Sequence, residues 1–381
     1  MKTEKLQQIR RELNTYFIER DEEIDCILTA ILAKQHCLFL GAPGTAKSML
    51  CRAVASHIEG AVYFDRLLTK FTTPEEVFGA YDLSKLQAGV YERVTTNKLP
   101  EAHFAFLDEI FKASSAILNS ILTIINERIF HNDSVPQRVP LISLFTASNE
   151  LPDEEEGLQA LYDRLVIRKV VSYISDYANL QKLLELDEDY VPKTTITLEE
   201  LQQIHEEVRA VNVKPVISDI LEIKRDLENE GIAVSDRRLK QSVGIVKAFA
   251  YLNGRSEAMA DDLSILQHVF WSDPREIQVV RSKVLQVANP YAQKAAEYEG
   301  VLADLEEHIR KFAGIELDKE AMSQLVEIYT KVHKIILQIS DFIKRARSAG
   351  KRTEELERVL SRAENLRNWL AKDILRLPMT G

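Results

Sequence analysis

The sequence predicts an α/β fold with a five-stranded parallel sheet, continued by an all-α segment and a helical bundle. Three observations carry this. Five short apolar runs that do not alternate with polar residues recur in the first 171 residues, mostly separated by helical patterns. Strands buried on both faces by crossover helices read this way. One run stops abruptly at Gly41, with a helical pattern starting at Lys47, which suits a strand entering a glycine turn. After about residue 175 the strand-like runs cease and helix-period spacing takes over.

The strand runs are His36–Leu40, Ala61–Phe64, His103–Leu107, Leu141–Ala147 and Leu165–Val171. A helix is predicted from Lys47 to about Ile58, and another over Ser114–Asn126, where serines suit an N-cap. Residues 79–99 and Arg128–Pro140 interrupt the alternation, and each reads as a hairpin insert. The all-α segment carries helical patterns at Leu180–Leu186, Leu198–Val211, Val216–Leu227, Asp236–Leu252 and Asp261–Trp271. Farther on, Met322, Leu325, Tyr329, Val332, Ile336, Ile339 and Ile343 form a heptad seam. Leu302, Leu305, Ile309 and Phe312 extend the idea upstream; Leu356, Val359, Ala363, Leu366 and Leu370 extend it downstream. Breaks near Gly314 and Ser348–Gly350 would fold three helices back as an antiparallel bundle. The predicted domains are 1–175 (α/β), 176–275 (all-α) and 276–381 (bundle).

A net charge of −10 argues against a general nucleic-acid binder. Cys26, Cys37 and Cys51 show no C-x-x-C spacing, which suits a reducing compartment without structural disulfides. No apolar stretch is long enough for a membrane span, and the charged N-terminus has no signal-peptide core, so a cytoplasmic protein is expected. The eight histidines show no H-x-x-x-H or H-E-x-x-H pairing, and Cys51 has no evident basic partner. His36 and His103, beside buried strands, read as hydrogen-bonded structural residues.

The chemistry concentrates in a few short motifs. GAPGTAKS, residues 41–48, lies between a strand and a helix, where backbone N–H groups and the helix dipole favour an anion. Gly41 and Gly44 would make the turn, Lys47 would reach the β- and γ-phosphates of ATP, and Ser48 would ligate Mg2+. The nucleotide cradle then comprises Gly41, Ala42, Pro43, Gly44, Thr45, Ala46, Lys47, Ser48 and Met49. The motif departs from the usual phosphate loop at Ala46, where glycine is customary; a left-handed backbone there would cost about 1–2 kcal/mol.

FAFLDEI, residues 104–110, ends an apolar strand in two carboxylates. Asp108 would hold Mg2+ through its water shell, and Glu109 would orient the attacking water. Asn149 in FTASNE ends another strand, where its amide could bond the water and the γ-phosphate; a turn residue is the plainer reading. Arg164 in LYDRL and Arg237 and Arg238 in VSDRRL are of a type most often found as surface or salt-bridge residues, so a role for them rests on pattern rather than chemistry alone.

Taken together, GAPGTAKS, FAFLDEIFKASSAILNSILTIINER, FTASNELP and LYDRL resemble the MoxR family of AAA+ ATPases, RavA-like branch, over roughly residues 10–275. In that family alanine often precedes the loop lysine. The resemblance implies Walker A roles for Lys47 and Ser48, Walker B for Asp108 and Glu109, and sensor 1 for Asn149. It implies an arginine finger at Arg164 and the sensor 2 arginine at Arg237, with Arg238 the second choice. It further implies that both inserts face the pore or substrate side, and that the active form is a homo-hexamer with a finger supplied between subunits. The implied function is chaperone-like remodelling or activation of a protein client, such as one carrying a von Willebrand A domain. RavA-like proteins can carry a β-rich domain within their C-terminal helices; the long helices here leave no room for it. The alternative is a nucleic-acid motor or loader on the same core, against which the acidic balance counts. Lys344–Arg376 holds ten Lys/Arg against five Asp/Glu, which reads as a solvated ion-paired face or, more sharply, as a dock for an acidic partner.

Overall fold

The computed structural model describes residues 2–133, 135–152, 156–186, 189–310, 312, 319–349, 351 and 353–375. They form two compact units, 1–277 and 278–381.

The first unit opens with helices α1 (Lys2–Tyr16) and α2 (Asp21–Ala33), then strand β1 (Cys37–Leu40), α3 (Lys47–Ser56), the two-residue β2 (Ile58–Glu59) and β3 (Tyr63–Leu67). Next come short helices α4 (Pro74–Phe78) and α5 (Leu83–Gln87), then β4 (Phe104–Asp108), a 3-10 turn at Ile110–Lys112 and α6 (Ser115–Glu127). Strands β5 (Ile129–Asn132), β6 (Val135–Arg138) and β7 (Ser143–Ser148), helix α7 (Glu156–Arg164) and β8 (Ile167–Val170) complete the α/β part. The five predicted strands form one parallel sheet in the order β3-β4-β7-β1-β8. All residues of β1 and β7 are buried, as strands covered on both faces require. Helix α6 buries Ile117, Leu118, Ile121, Ile124 and Ile125. Ser114 occupies its N-cap position without a side-chain cap bond.

The register aligns the functional strand ends. Leu40 pairs with Ser148 and Leu107 with Thr146, so the ends of β1, β4 and β7 open onto one edge. Ligands bind at this carboxyl edge in open parallel sheets, where the strand order reverses.

The second predicted insert is a hairpin, with Ile129 opposite Arg138 and Asn132 opposite Val135. The first is a hairpin only at its ends. Asp82 accepts bonds from the N–H groups of Ser84 and Lys85, converting DLSKLQ into the helical turn α5. The insert's ends pair antiparallel: Tyr81 bridges Arg93, Asp82 N–H donates to the Glu92 carbonyl at 2.8 Å and Val94 N–H to the Ala80 carbonyl at 2.8 Å. The buried Asn132 amide accepts from Arg93 N–H at 2.7 Å and donates to its carbonyl at 3.1 Å, tying the two inserts together.

The all-α segment comprises α8 (Tyr177–Leu184), the short β9 (Ile196–Thr197), α9 (Leu198–Ala210), α10 (Ile217–Asn229) and α11 (Asp236–Leu252). Thr197 and Glu200 form a capping box on α9. The helix predicted over Asp261–Trp271 is instead a 3-10 segment, Ala260–His268. The Asp262 carboxylate turns back to accept from Met259 N–H and pairs with Arg255, tightening its start.

Helix α12 (Ile277–Ala288) begins at the boundary of the units. The second unit continues with α13 (Pro290–Arg310), α14 (Lys319–Ser348) and α15 (Glu354–Trp369). Its core takes Leu302 and Ile309 from α13, and Leu325, Val332, Ile336, Ile339 and Ile343 from α14. Leu356, Val359, Ala363, Leu366 and Leu370 complete it, whereas Met322 is exposed. The break expected near Gly314 lies outside the described residues. Several cations of the basic segment are partnered: Arg362 with Glu306, Arg358 with Glu299 and Arg347 with Glu357.

Candidate functional site at the carboxyl edge of the sheet

The phosphate-loop sequence forms a tight turn between β1 and α3. A side chain at Gly41 would put its Cβ 2.2 Å from the Val171 carbonyl, so only glycine fits there. Ala46 adopts the left-handed conformation, φ 63° and ψ 18°. The departure from glycine therefore falls on the costly branch, about 1–2 kcal/mol of backbone strain that the surrounding contacts hold in place. Arg20, buried beneath the loop, donates to the carbonyls of Thr45 at 3.3 Å and Ser172 at 2.9 Å. The Tyr173 hydroxyl reaches the Pro43 carbonyl at 3.2 Å.

Helix α3 starts without a side-chain cap, which leaves its first turn an anion-attracting end. Ser48 and Met49 are exposed on that turn. The Lys47 ammonium folds back onto the loop, donating to the carbonyls of Gly41 and Ala42, both at 2.8 Å, and to Thr45 Oγ1 at 3.2 Å. Burial lowers its pKa, the Asp108 and Glu109 carboxylates oppose the shift, and Arg20 adds to it.

Glu109 follows β4 in a left-handed conformation, φ 52°. Its Oε1 accepts from Asn149 Nδ2 at 2.9 Å, and its backbone N–H donates to Asp108 Oδ1 at 3.0 Å. Lys112 Nζ lies 3.2 Å from Oε2 in an ion pair. Lys47, Asp108, Glu109 and Asn149 thus come from three strand ends at one edge of the sheet. The hydroxyl of Ser48 and the carboxylate of Asp108 are hard oxygen donors, the chemistry that suits Mg2+.

Arg164 and Arg237 form a second group. Arg164 ends α7 half-buried, its pKa lowered by burial and by the neighbouring Arg237, and partly restored by Asp163. Arg237 is exposed at the start of α11. Arg238 instead is buried: it donates to Ser272 Oγ at 2.7 Å and the Trp271 carbonyl at 3.3 Å, and pairs with Asp163 at 3.5 Å. Among the described residues, no hydrogen bond or ion pair joins the two groups.

Sequence reasoning missed Arg20, Lys112 and Arg168. Arg168, fully buried in β8, donates to the carbonyls of Leu165, Trp271 and Tyr162 at 2.9, 2.8 and 2.6 Å. A charge within the apolar run LVIRKVV was the available signal, since a buried cation demands partners. The structural reading of the histidines holds. His36 Nδ1 accepts from Leu144 N–H and His103 Nδ1 from Val62 N–H.

A family model described as the MoxR domain in the MoxR-vWA-beta-propeller ternary systems matches residues 4–211, and an AAA lid domain model matches residues 215–284. Two uncharacterized proteins of Methanocaldococcus jannaschii are 46% and 44% identical over 96% of this chain, covering 98% and 97% of their own lengths. Chaperone MoxR1 of Mycobacterium tuberculosis is 26% identical over 43% of each chain. A crystal structure from Cytophaga hutchinsonii shares the fold with a TM-score of 0.60 at 18% identity, over 76% of this chain and 95% of that one. With its phosphate loop, paired carboxylates, five-stranded sheet and helical lid, the chain belongs to the MoxR family of AAA+ ATPases.

Proposed function

We propose that this chain hydrolyses Mg-ATP and uses the cycle to remodel or activate a protein partner. The observation that carries the reading is the 2.9 Å bond from Asn149 to Glu109 beside Lys47 and Asp108. A carboxylate held in this way can orient a water for attack on a γ-phosphate, while the loop N–H groups and Lys47 hold the phosphate chain. Ser48 and Asp108 would hold Mg2+, which neutralises charge on the phosphate oxygens when bound. Arg164 is the proposed finger acting on a neighbouring subunit of a homo-hexamer, and Arg237 the proposed sensor 2 residue. Arg237 is preferred over Arg238 because its guanidinium faces solvent while that of Arg238 is committed to Ser272, Trp271 and Asp163.

The partner class rests on the matched family model, which is named for MoxR-vWA systems. A von Willebrand A domain protein is the proposed client. Placement in the RavA-like branch rests on the motif series quoted above, and the cytoplasmic assignment on the cysteine pattern. No helix among the described residues is long and apolar enough to cross a membrane. The competing reading, a nucleic-acid motor, predicts salt-sensitive stimulation of hydrolysis by DNA or RNA.

The deciding experiment measures specific ATPase rate against protein concentration for the wild type, Glu109→Gln and Arg164→Ala. A rate that rises with concentration, is lost in both variants and returns on mixing them supports a ring enzyme with a finger in trans. A concentration-independent rate that survives Arg164→Ala removes the finger assignment.

A further inference from the structure

The geometry points to Lys112 as a positioning residue that holds Glu109 in a resting clamp, restraining hydrolysis until the ammonium is drawn away. This rests on the hydrolysis reading above. Both oxygens of the Glu109 carboxylate are engaged from opposite partners. Asn149 takes Oε1 at 2.9 Å, and the Lys112 ammonium faces Oε2 at 3.2 Å. Oε2 is buried and has no hydrogen-bond partner of good geometry. The ion pair is therefore what holds the oxygen that an attacking water would otherwise take.

Local backbone geometry builds the clamp. Glu109 caps the 3-10 turn Ile110–Lys112, and Lys112 N–H donates to the Glu109 carbonyl at 2.9 Å. That i to i+3 bond closes the turn and brings Lys112 back beside Glu109.

The two ends of the pair differ in access. The Glu109 side chain is 16% exposed and that of Lys112 44%, so a carboxylate arriving from outside can compete for the lysine without entering the site. The turn is also braced: the Phe111 ring lies 6.2 Å from that of Tyr162, on the helix ending in Arg164. A shift of α7, as contact with a neighbouring copy through Arg164 would bring, is transmitted to the turn carrying Lys112.

The test measures kcat and KM for Mg-ATP, with fluorescent-nucleotide affinity, in the wild type, Lys112→Met, Lys112→Arg and Glu109→Gln. Removing a half-exposed ion pair should raise the kcat of Lys112→Met by about two- to five-fold. KM and nucleotide affinity should stay put, and the gain in rate with protein concentration should shrink. Lys112→Arg keeps the cation and should keep the restraint. A fall in kcat for Lys112→Met with affinity intact would make the lysine a promoter of the reaction and overturn the clamp; an unchanged kcat would show the pair to be idle. If the wild type and Lys112→Met both bind nucleotide without turnover, the hydrolysis reading fails, and the clamp with it.

Discussion

The guanidinium of Arg168 lies 3.7 Å from the centre of the Tyr162 ring, stacking a strand residue against the helix that ends in Arg164. Its three N–H bonds to the carbonyls of Leu165, Trp271 and Tyr162 close the joint. The Tyr162 hydroxyl donates to the Ser272 carbonyl at 2.5 Å, and Arg238 reaches the same Trp271–Ser272 segment. Through this joint the α/β part, the candidate finger helix and the start of α11 share one set of hydrogen bonds. Burial and the neighbouring Arg238 pull the pKa of Arg168 down to about 9, and it remains a cation at neutral pH.

Arg168→Met should therefore be severely destabilising. Buried carbonyls lose a charged donor, each such bond being worth about 1.5–3 kcal/mol, and a total loss of about 3–5 kcal/mol is expected. Urea unfolding at neutral pH measures it; a loss below about 1 kcal/mol would mean the joint is redundant.

The two adjacent arginines should separate cleanly. Arg238→Ala removes a buried donor to Ser272 and the partner of Asp163, and should lower stability by about 2–3 kcal/mol. Arg237→Ala, at an exposed position, should change stability by less than about 0.5 kcal/mol while reducing turnover. The paired denaturation and ATPase measurements identify which arginine serves the reaction.

Ala46→Gly should stabilise the protein. The left-handed backbone of Ala46 costs about 1–2 kcal/mol, partly offset by the greater freedom of glycine in the unfolded chain, for a net gain of about 0.5–1 kcal/mol. Thermal unfolding of the two proteins in parallel checks the sign.

Acid should unfold the protein in a window set partly by His36. Burial, reinforced by Arg128, pulls its pKa from 6.5 down to about 3. The unfolded chain then binds the proton first. The stability associated with neutral His36 is complete above pH 6.5 and is lost as pH falls toward 3, by at most about 1.4 kcal/mol per pH unit. His36→Gln should be less stable at pH 7 but flatten the slope of unfolding free energy between pH 6.5 and 4.5. An unchanged slope would place the acid sensitivity elsewhere, His205 at about 4 being the next group.

What the sequence determined by itself is local. Continuous apolar runs specify strands covered on both faces, and the glycine spacing of GAPGTAKS specifies a turn into a helix. The heptad spacing of α14 places Leu325, Val332, Ile336, Ile339 and Ile343 on one buried stripe. These features depend on chain periodicity and steric preference, which act over a few residues. Residues 79–99 show the limit: the ends pair as the pattern predicts, but between them Asp82 capping its own neighbours made a helical turn.

Tertiary structure decided what depends on residues distant in the chain. Nothing near Arg168 in sequence announces Trp271, and nothing in RRL tells Arg237 from Arg238 until Asp163 and Ser272 claim the second. Whether Ala46 would be strained depended on a backbone angle set by the turn's packing against Arg20 and Val171. The convergence of Lys47, Glu109 and Asn149 required the parallel register to bring three strand ends to one edge. Periodicity is written in neighbouring residues, whereas partners for buried charge are supplied only when the chain folds back on itself.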